Sequence, residues 1–343
     1  MSAATLEDPA ERVASRLSAR RSLYHGLTER TAAALRSKVL RRWLAVTLVA
    51  ACFLFLGYGV YANWHELPRY GWHLNCRFLA TAVFLYLGSF ALLVVGWNSI
   101  MRRIGGPSSI KENTEVYCFS NMLKRVPPSV WFVAGRVYLY KGKGVPAVIS
   151  FLGTFLEIVL IVTSGAVVHL VIRPAALAGI APLTWLFVAI PAFGVATIYL
   201  VGNHGRHLWA RVAGGAAPDA ALSLSWADIG RWLLLYTVAW VWGGTVFHCF
   251  AASLFRPVQI NLVDSIAIWA AAGVVGALAF FVPAGLGVRE VTLSFLLSFY
   301  VPLPVAIVLS ALFRIFTMTG ETLSSAALLA LIRFSDRGSP LSS

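Results

Sequence analysis

An arginine and a glutamate stand side by side at Arg289 and Glu290, directly after a run that holds Pro283, Gly285 and Gly287. Apolar sequence leads up to this run and away from it, so the break falls in or near a bilayer. Backbone N–H and C=O groups freed there find no partner in lipid and persist only when buried in protein or lining a wet cavity. A second set of ionisable residues lies further along. Ser310, Arg314, Thr317, Glu321 and Ser324 are spaced by four, three, four and three residues, which puts all five on one face of a helix. Arg314 and Glu321 are two turns apart, roughly 10 Å, too far for a direct ion pair without a bridge. Glu157 has a similar setting, with Ser150, Gly153, Ser164 and Gly165 on the same side of its helix. A charge at the centre of a membrane helix costs about 2.5–3.5 kcal/mol on insertion scales, so each of these residues calls for a functional explanation.

Arginine suits the binding of an anion because its planar fork grips phosphate through two parallel hydrogen bonds. Three arginines in broken or membrane-embedded segments, Arg136, Arg289 and Arg314, fit a phosphate headgroup better than a sugar or a metal ion. Glu157, Glu290 and Glu321 would hold them in place. The alternative is a Glu157–Arg314 or Glu290–Arg314 pair that only fixes helix packing.

The elements that must position these groups are membrane helices. Of 343 residues, 59% are hydrophobic and 12% charged, against about 25% charged in a soluble domain. An all-α polytopic membrane protein follows, with about eight crossings. Apolar windows near 20 residues mark spans at 43–62, 78–100, 145–172, 180–201, 229–254, 264–282 and 304–332. Asp264 reads as a helix N-cap. Two segments fall outside this pattern. Residues 113–140 hold Lys124, Arg125, the pair Pro127-Pro128 and Arg136, and residues 283–301 open on the proline–glycine run. Both read as broken or re-entrant helices. Trp131 and most other tryptophans read as interfacial belts.

The net charge of +14 does not point to nucleic acid, because much of the excess precedes the first span, from Arg12 to Arg42. That placement makes the N-terminus cytoplasmic by the positive-inside rule and favours anionic headgroups. Residues 1–42 are a basic leader, 43–333 a membrane domain and 334–343 a short tail. Cys52, Cys76, Cys118 and Cys249 show no metal-ligand or disulfide spacing, and His204 and His207 lie in a basic loop without further ligands. There is no Walker loop, and Gly285-Leu286-Gly287 lacks the preceding strand of a dinucleotide site. No cofactor, metal or ATP use is expected, and no catalytic motif is recognisable.

The two breaks resemble each other. Pro127 is followed by Arg136, a Val145-Pro146 turn and a helix interrupted by Glu157; Pro283 is followed by Arg289, a Val301-Pro302 turn and a helix interrupted by Arg314. Transporters are often built from repeats whose broken helices meet at a midplane site. Counting charges puts both breaks toward the cytoplasmic side, which favours a parallel repeat and leaves inversion open.

These residues resemble a known family. Pro283 to Glu290, the Val301-Pro302 turn and a helix bearing Arg314 are similar to the C-terminal signature of the lysylphosphatidylglycerol synthase transmembrane, or flippase-like, family. Asn121 through Pro127-Pro128-Ser129-Val130-Trp131 to Arg136, with Glu157 downstream, resembles its other signature. Pro128 replaces a glycine usual there, and Ala284-Gly285 departs mildly from a glycine pair. The resemblance covers about residues 40 to 335. It implies a multi-pass protein of the plasma (inner) membrane that moves an anionic phospholipid or a polyprenyl-phosphate-linked substrate between leaflets, with no soluble aminoacyltransferase domain. Pro127, Pro128, Pro283, Gly285 and Gly287 would form the hinges. Two other readings stay open: a non-catalytic membrane partner of a glycosyltransferase, and a membrane-embedded lipid-phosphate transferase using Glu290.

Overall fold

The computed structural model describes residues 47, 49–65, 67–104, 108–124, 130–173, 185, 187–201, 224–255, 260–279, 282 and 285–338. The basic leader and the last five residues lie outside them, as do Pro127, Pro128 and Pro283. The described chain is helical: α1 (Val49–Ala62), α2 (Cys76–Arg103), α3 (Ile110–Leu123), α4 (Val130–Lys141), α5 (Ala147–Ile172), α6 (Phe187–Val201), α7 (Trp226–Leu254), α8 (Leu262–Leu278), α9 (Val288–Leu297) and α10 (Leu303–Gly338). Four of these, α2, α5, α7 and α10, are long and apolar enough to cross a membrane, and α1, α6 and α8 are shorter apolar helices.

Local sequence explains where the helices begin. Ser109 accepts a hydrogen bond from the Glu112 N–H and Glu112 reaches back to the Ser109 N–H, a capping box that opens α3. Ser225 and Asp228 do the same for α7. Asn261 caps α8 by accepting from the Asp264 N–H at 2.8 Å. The cap of α8 is therefore Asn261, and Asp264 stands in its first turn, where its carboxylate is freed to pair with Arg173. Prolines open α5 and α10: the Pro146 carbonyl accepts from Ile149, and the Pro302 carbonyl accepts from Ala306.

Ion pairs and turns establish which helix ends lie together. Arg103 at the end of α2 bonds Asp228 at the start of α7 at 2.7 Å, and Lys143 in the α4–α5 turn bonds Glu115 of α3 at 2.7 Å. At the opposite end, the Asn75 N–H before α2 donates to the Ser253 carbonyl near the end of α7. There too Arg173, just past α5, pairs with Asp264 of α8 and donates to the Tyr300 hydroxyl in the α9–α10 turn at 2.8 Å.

The consequence is an inverted repeat. The α3–α4 hairpin opens at the Arg103 end, and the α8–α9 hairpin opens at the Tyr300 end. Of the two arrangements left open, the parallel one favoured by counting charges gives way to the antiparallel one. The short segment 288–297 is the second arm of a hairpin whose first arm is α8. The packing obeys the same exchange: α3 packs on α10 as α8 packs on α5, α2 on α10 as α7 on α5, and α2 packs on α7 across the centre. Close approach relies on small residues. An added Cβ at Gly165 would meet Val274 at 2.7 Å, and one at Gly244 would meet the Ile266 backbone at 2.5 Å.

Inversion makes a testable statement about sidedness. In a Cys76→Ser background, cysteines introduced at Lys143 and at Phe299, one in each inter-helix turn, should react with a membrane-impermeant maleimide from opposite faces of sealed vesicles. Labelling of both from one face would contradict the inverted repeat.

Candidate functional site

In each repeat, an ion pair joins the short second arm to the long helix that follows. Glu157 lies about 15 Å along α5 from its start and Arg314 about 16 Å along α10, at 1.5 Å per residue. Both therefore fall near the middle of a hydrocarbon core about 30 Å thick. The pairs occupy corresponding places and carry opposite sense: Arg136 on α4 with Glu157 on α5, and Glu290 on α9 with Arg314 on α10.

The first pair is sealed. Arg136 has no exposed surface; its Nη1 donates to Glu157 Oε2 at 2.5 Å and its Nε to Ser120 Oγ at 3.1 Å. The guanidinium carbon lies 3.7 Å from the centre of the Trp97 ring, 4.3 Å from Phe132 and 5.2 Å from Tyr117. The other Glu157 oxygen faces the Tyr236 hydroxyl at 3.5 Å. Trp97 is itself fixed, donating to the Tyr140 hydroxyl, which donates to Asn113. A desolvated guanidinium held by a carboxylate and aromatic faces is a strong but closed arrangement.

The second pair sits on the break. Gly285 and Gly287 have φ of +64° and +84°, a left-handed backbone that glycine adopts without strain. Neither tolerates a side chain: an added Cβ would lie 2.7 Å from the Gly276 carbonyl oxygen at Gly285 and 2.5 Å from Cys52 Cβ at Gly287. Glu290 closes the break by accepting the Gly287 N–H at 2.6 Å, while its other oxygen stands 3.3 Å from Arg314 Nε. Its neighbour Arg289 is placed differently. Its guanidinium lies over Trp269 at 3.8 Å, and among the described residues it has no carboxylate within ion-pair distance. Arg289 nevertheless lies within electrostatic range of Arg314, Glu290 and Glu321.

Glu321 connects this region to the first break. It pairs with Lys124, at the end of α3, at 3.9 Å, and both are partly exposed. Most of the helix stripe from Ser310 to Ser324 faces protein: Ser310 and Ser324 are buried, Tyr86 donates to the Thr317 carbonyl at 2.9 Å, and Glu321 is partly exposed. Of the six charged residues expected to share one cleft, Arg289, Glu290, Arg314 and Glu321 lie around α9 and α10, whereas Arg136 and Glu157 form an enclosed pair of their own. Of the two alternative pairings, Glu290–Arg314 is present and Glu157 bonds Arg136. Gly285 and Gly287 stand at the break; the three hinge prolines lie outside the described residues. No group of three or more histidine, cysteine, aspartate and glutamate side chains able to hold a metal occurs among the described residues.

Lys124, Trp97 and Trp269 are parts of these sites that sequence reasoning missed. The signal for Trp269 was available: it is followed directly by the small residues Ala270, Ala271, Ala272 and Gly273. Trp97 and Trp232 are buried, so these tryptophans belong to the interior and not to an interfacial belt, while Trp64 and Trp226 are exposed.

Residues 42–324 match the family model described as the lysylphosphatidylglycerol synthase TM region, a match that takes in both breaks and all six charged residues. No curated protein matches the chain.

The sealed pair predicts a non-additive response. Arg136→Met or Glu157→Leu alone leaves a buried charge uncompensated and should lower stability in detergent by about 3–5 kcal/mol. Both together should cost less than either, measured by denaturation of the purified protein; losses that simply add would exclude a coupled buried pair.

Proposed function

The chain belongs to the lysylphosphatidylglycerol synthase transmembrane family, and from that premise we propose that it is a translocator for an anionic lipid. The cargo would be an anionic phospholipid or a polyprenyl-phosphate-linked substrate that moves between leaflets with every covalent bond intact. The observation that carries this reading is Arg289, a cation placed directly after a membrane break, held by an aromatic face and not by a carboxylate. A phosphate arriving there meets the planar donor fork it needs, and a low dielectric strengthens the attraction.

Each neighbour has a role in this reading. Glu290 is occupied twice, by the Gly287 N–H and by Arg314, so it supports the break and is not a base waiting for a proton. Arg314 adds a second positive charge near the phosphate. Arg136 and Glu157 fix the opposite repeat. Gly285 and Gly287 let α9 swing on a backbone that side chains would jam. Inverted repeats with broken helices meeting at mid-membrane are the arrangement on which alternating access is commonly built.

The orientation in this proposal follows the charges. Arg102, Arg103, Lys111, Lys141 and Lys143 cluster at one end, against Arg69, Arg77 and Arg173 at the other. The Arg103 end, and the N-terminus with it, would face the cytoplasm of a plasma membrane.

Reconstitution into liposomes with a fluorescent phosphatidylglycerol tests the reading. Arg289→Ala should slow leaflet exchange at least about tenfold, the loss expected from a charge-assisted hydrogen bond, and Arg289→Lys should be intermediate. Exchange at the wild-type rate in Arg289→Ala would remove Arg289 as the phosphate site. A new covalent product from labelled lipid would make the protein an enzyme instead.

A further inference from the structure

The seam between α3 and α10 has a polar interior that the ion pairs do not account for. Asn121 Oδ1 on α3, Ser324 Oγ on α10 and Arg136 Nη2 on α4 are buried, and none has a hydrogen-bond partner among the described residues. Native proteins leave few buried polar groups unmatched, and each calls for an explanation. The three belong to one neighbourhood. The Lys124–Glu321 pair sets the register of two antiparallel helices. Asn121 lies one turn before Lys124 and Ser324 one turn after Glu321, so they face each other across the seam. Asn121 adjoins Ser120, whose hydroxyl receives the Arg136 Nε. Glu321 lies within electrostatic range of Arg289 on one side and Tyr117 on the other, linking the seam to the second break.

Exchange of the two repeats maps this seam onto α5–α8, which is built differently. There Gly165 approaches Val274, Ala270 and Ala271 are fully enclosed, and the end is closed by Arg173 with Asp264 and Tyr300. A polar group does cross that interface, His169 Nδ1 donating to the Ala267 carbonyl at 2.9 Å, but that nitrogen is matched where Asn121 Oδ1 and Ser324 Oγ are not. An amide oxygen, a hydroxyl and a guanidinium N–H together supply an acceptor, a group that can do both, and a donor. That set is complementary to neutral hydroxyls, which also donate and accept. The mouth of the seam is accessible, since Lys124 and Glu321 are 32% and 26% exposed.

We propose that the α3–α10 seam is a subsite for uncharged hydroxyl groups, of a glycerol or a sugar, attached to the phosphate held at Arg289. The inference rests on the phosphate reading above and adds the other half of the headgroup to it. The seam parts to admit the hydroxyls, which then satisfy Asn121, Ser324 and the Nη2 edge of Arg136, leaving the Nη1 bond to Glu157 in place.

Two lipids of equal charge separate the two claims. Dioleoyl phosphatidylglycerol and dioleoyl phosphatidylpropanol share the phosphodiester and the three-carbon headgroup, and only the first carries hydroxyls. Equilibrium binding to the full-length protein in detergent should favour phosphatidylglycerol about tenfold, the equivalent of one or two net hydrogen bonds. Asn121→Leu combined with Ser324→Ala should abolish the preference while leaving phosphatidylpropanol affinity within about twofold. If the double variant loses phosphatidylpropanol binding through misfolding, Ser324→Ala alone decides, with a reduced preference expected. Equal affinities in the wild type, or a preference that survives in the variants, would overturn the subsite alone. Binding of neither lipid would remove the phosphate reading and the subsite with it.

Discussion

One carboxylate carries the second half of this protein. Glu290 accepts the Gly287 N–H that the break would otherwise leave bare, and it faces Arg314 on the long helix that follows. A broken helix in a bilayer needs every freed backbone group matched, because lipid supplies no donor or acceptor. At Gly287 a single side chain does this and ties α9 to α10 as well. With Glu290 engaged, the adjacent Arg289 is left to an aromatic face. In the proposed function, support and phosphate binding are divided between these consecutive residues.

The two repeats solve the same problem with opposite charges. In the first, the arginine is on the short arm and the glutamate on the long helix; in the second the order is reversed. Sign does not matter for holding two helices together, but it matters for what remains. The first pair leaves a guanidinium enclosed by Trp97, Phe132 and Tyr117, rigid and shielded. The second leaves Arg289 beside two glycines of positive φ. Both lie within a framework braced at its two ends by Arg103–Asp228 and Arg173–Asp264.

Much of this was legible in the residues themselves. The period of Ser310, Arg314, Thr317, Glu321 and Ser324 placed them on one protein-facing side of α10, and the proline–glycine run marked the break. The membership in the family was readable from the same motifs. The pairing of Arg136 with Glu157 was not, because it depends on the short α4–α5 turn at Gly144 folding α4 back along α5. Inversion of the repeat also escaped charge counting. Lysine and arginine report which side of the membrane a loop is on, but not how deep the tip of a hairpin lies, so counting them puts both breaks on one side. Asp264 misled for a local reason: its acidic side chain fits an N-cap, yet Asn261 takes that place and frees Asp264 for Arg173.

In the proposed function Arg289, and not the sealed Arg136, meets the phosphate. A cryo-electron microscopy structure of the protein in nanodiscs containing phosphatidylglycerol tests it most directly. A phosphate within hydrogen-bond reach of the Arg289 guanidinium is expected, with the Arg136–Glu157 pair undisturbed. A headgroup bound at Arg136 with that pair broken, and Arg289 still lying over Trp269, would contradict it.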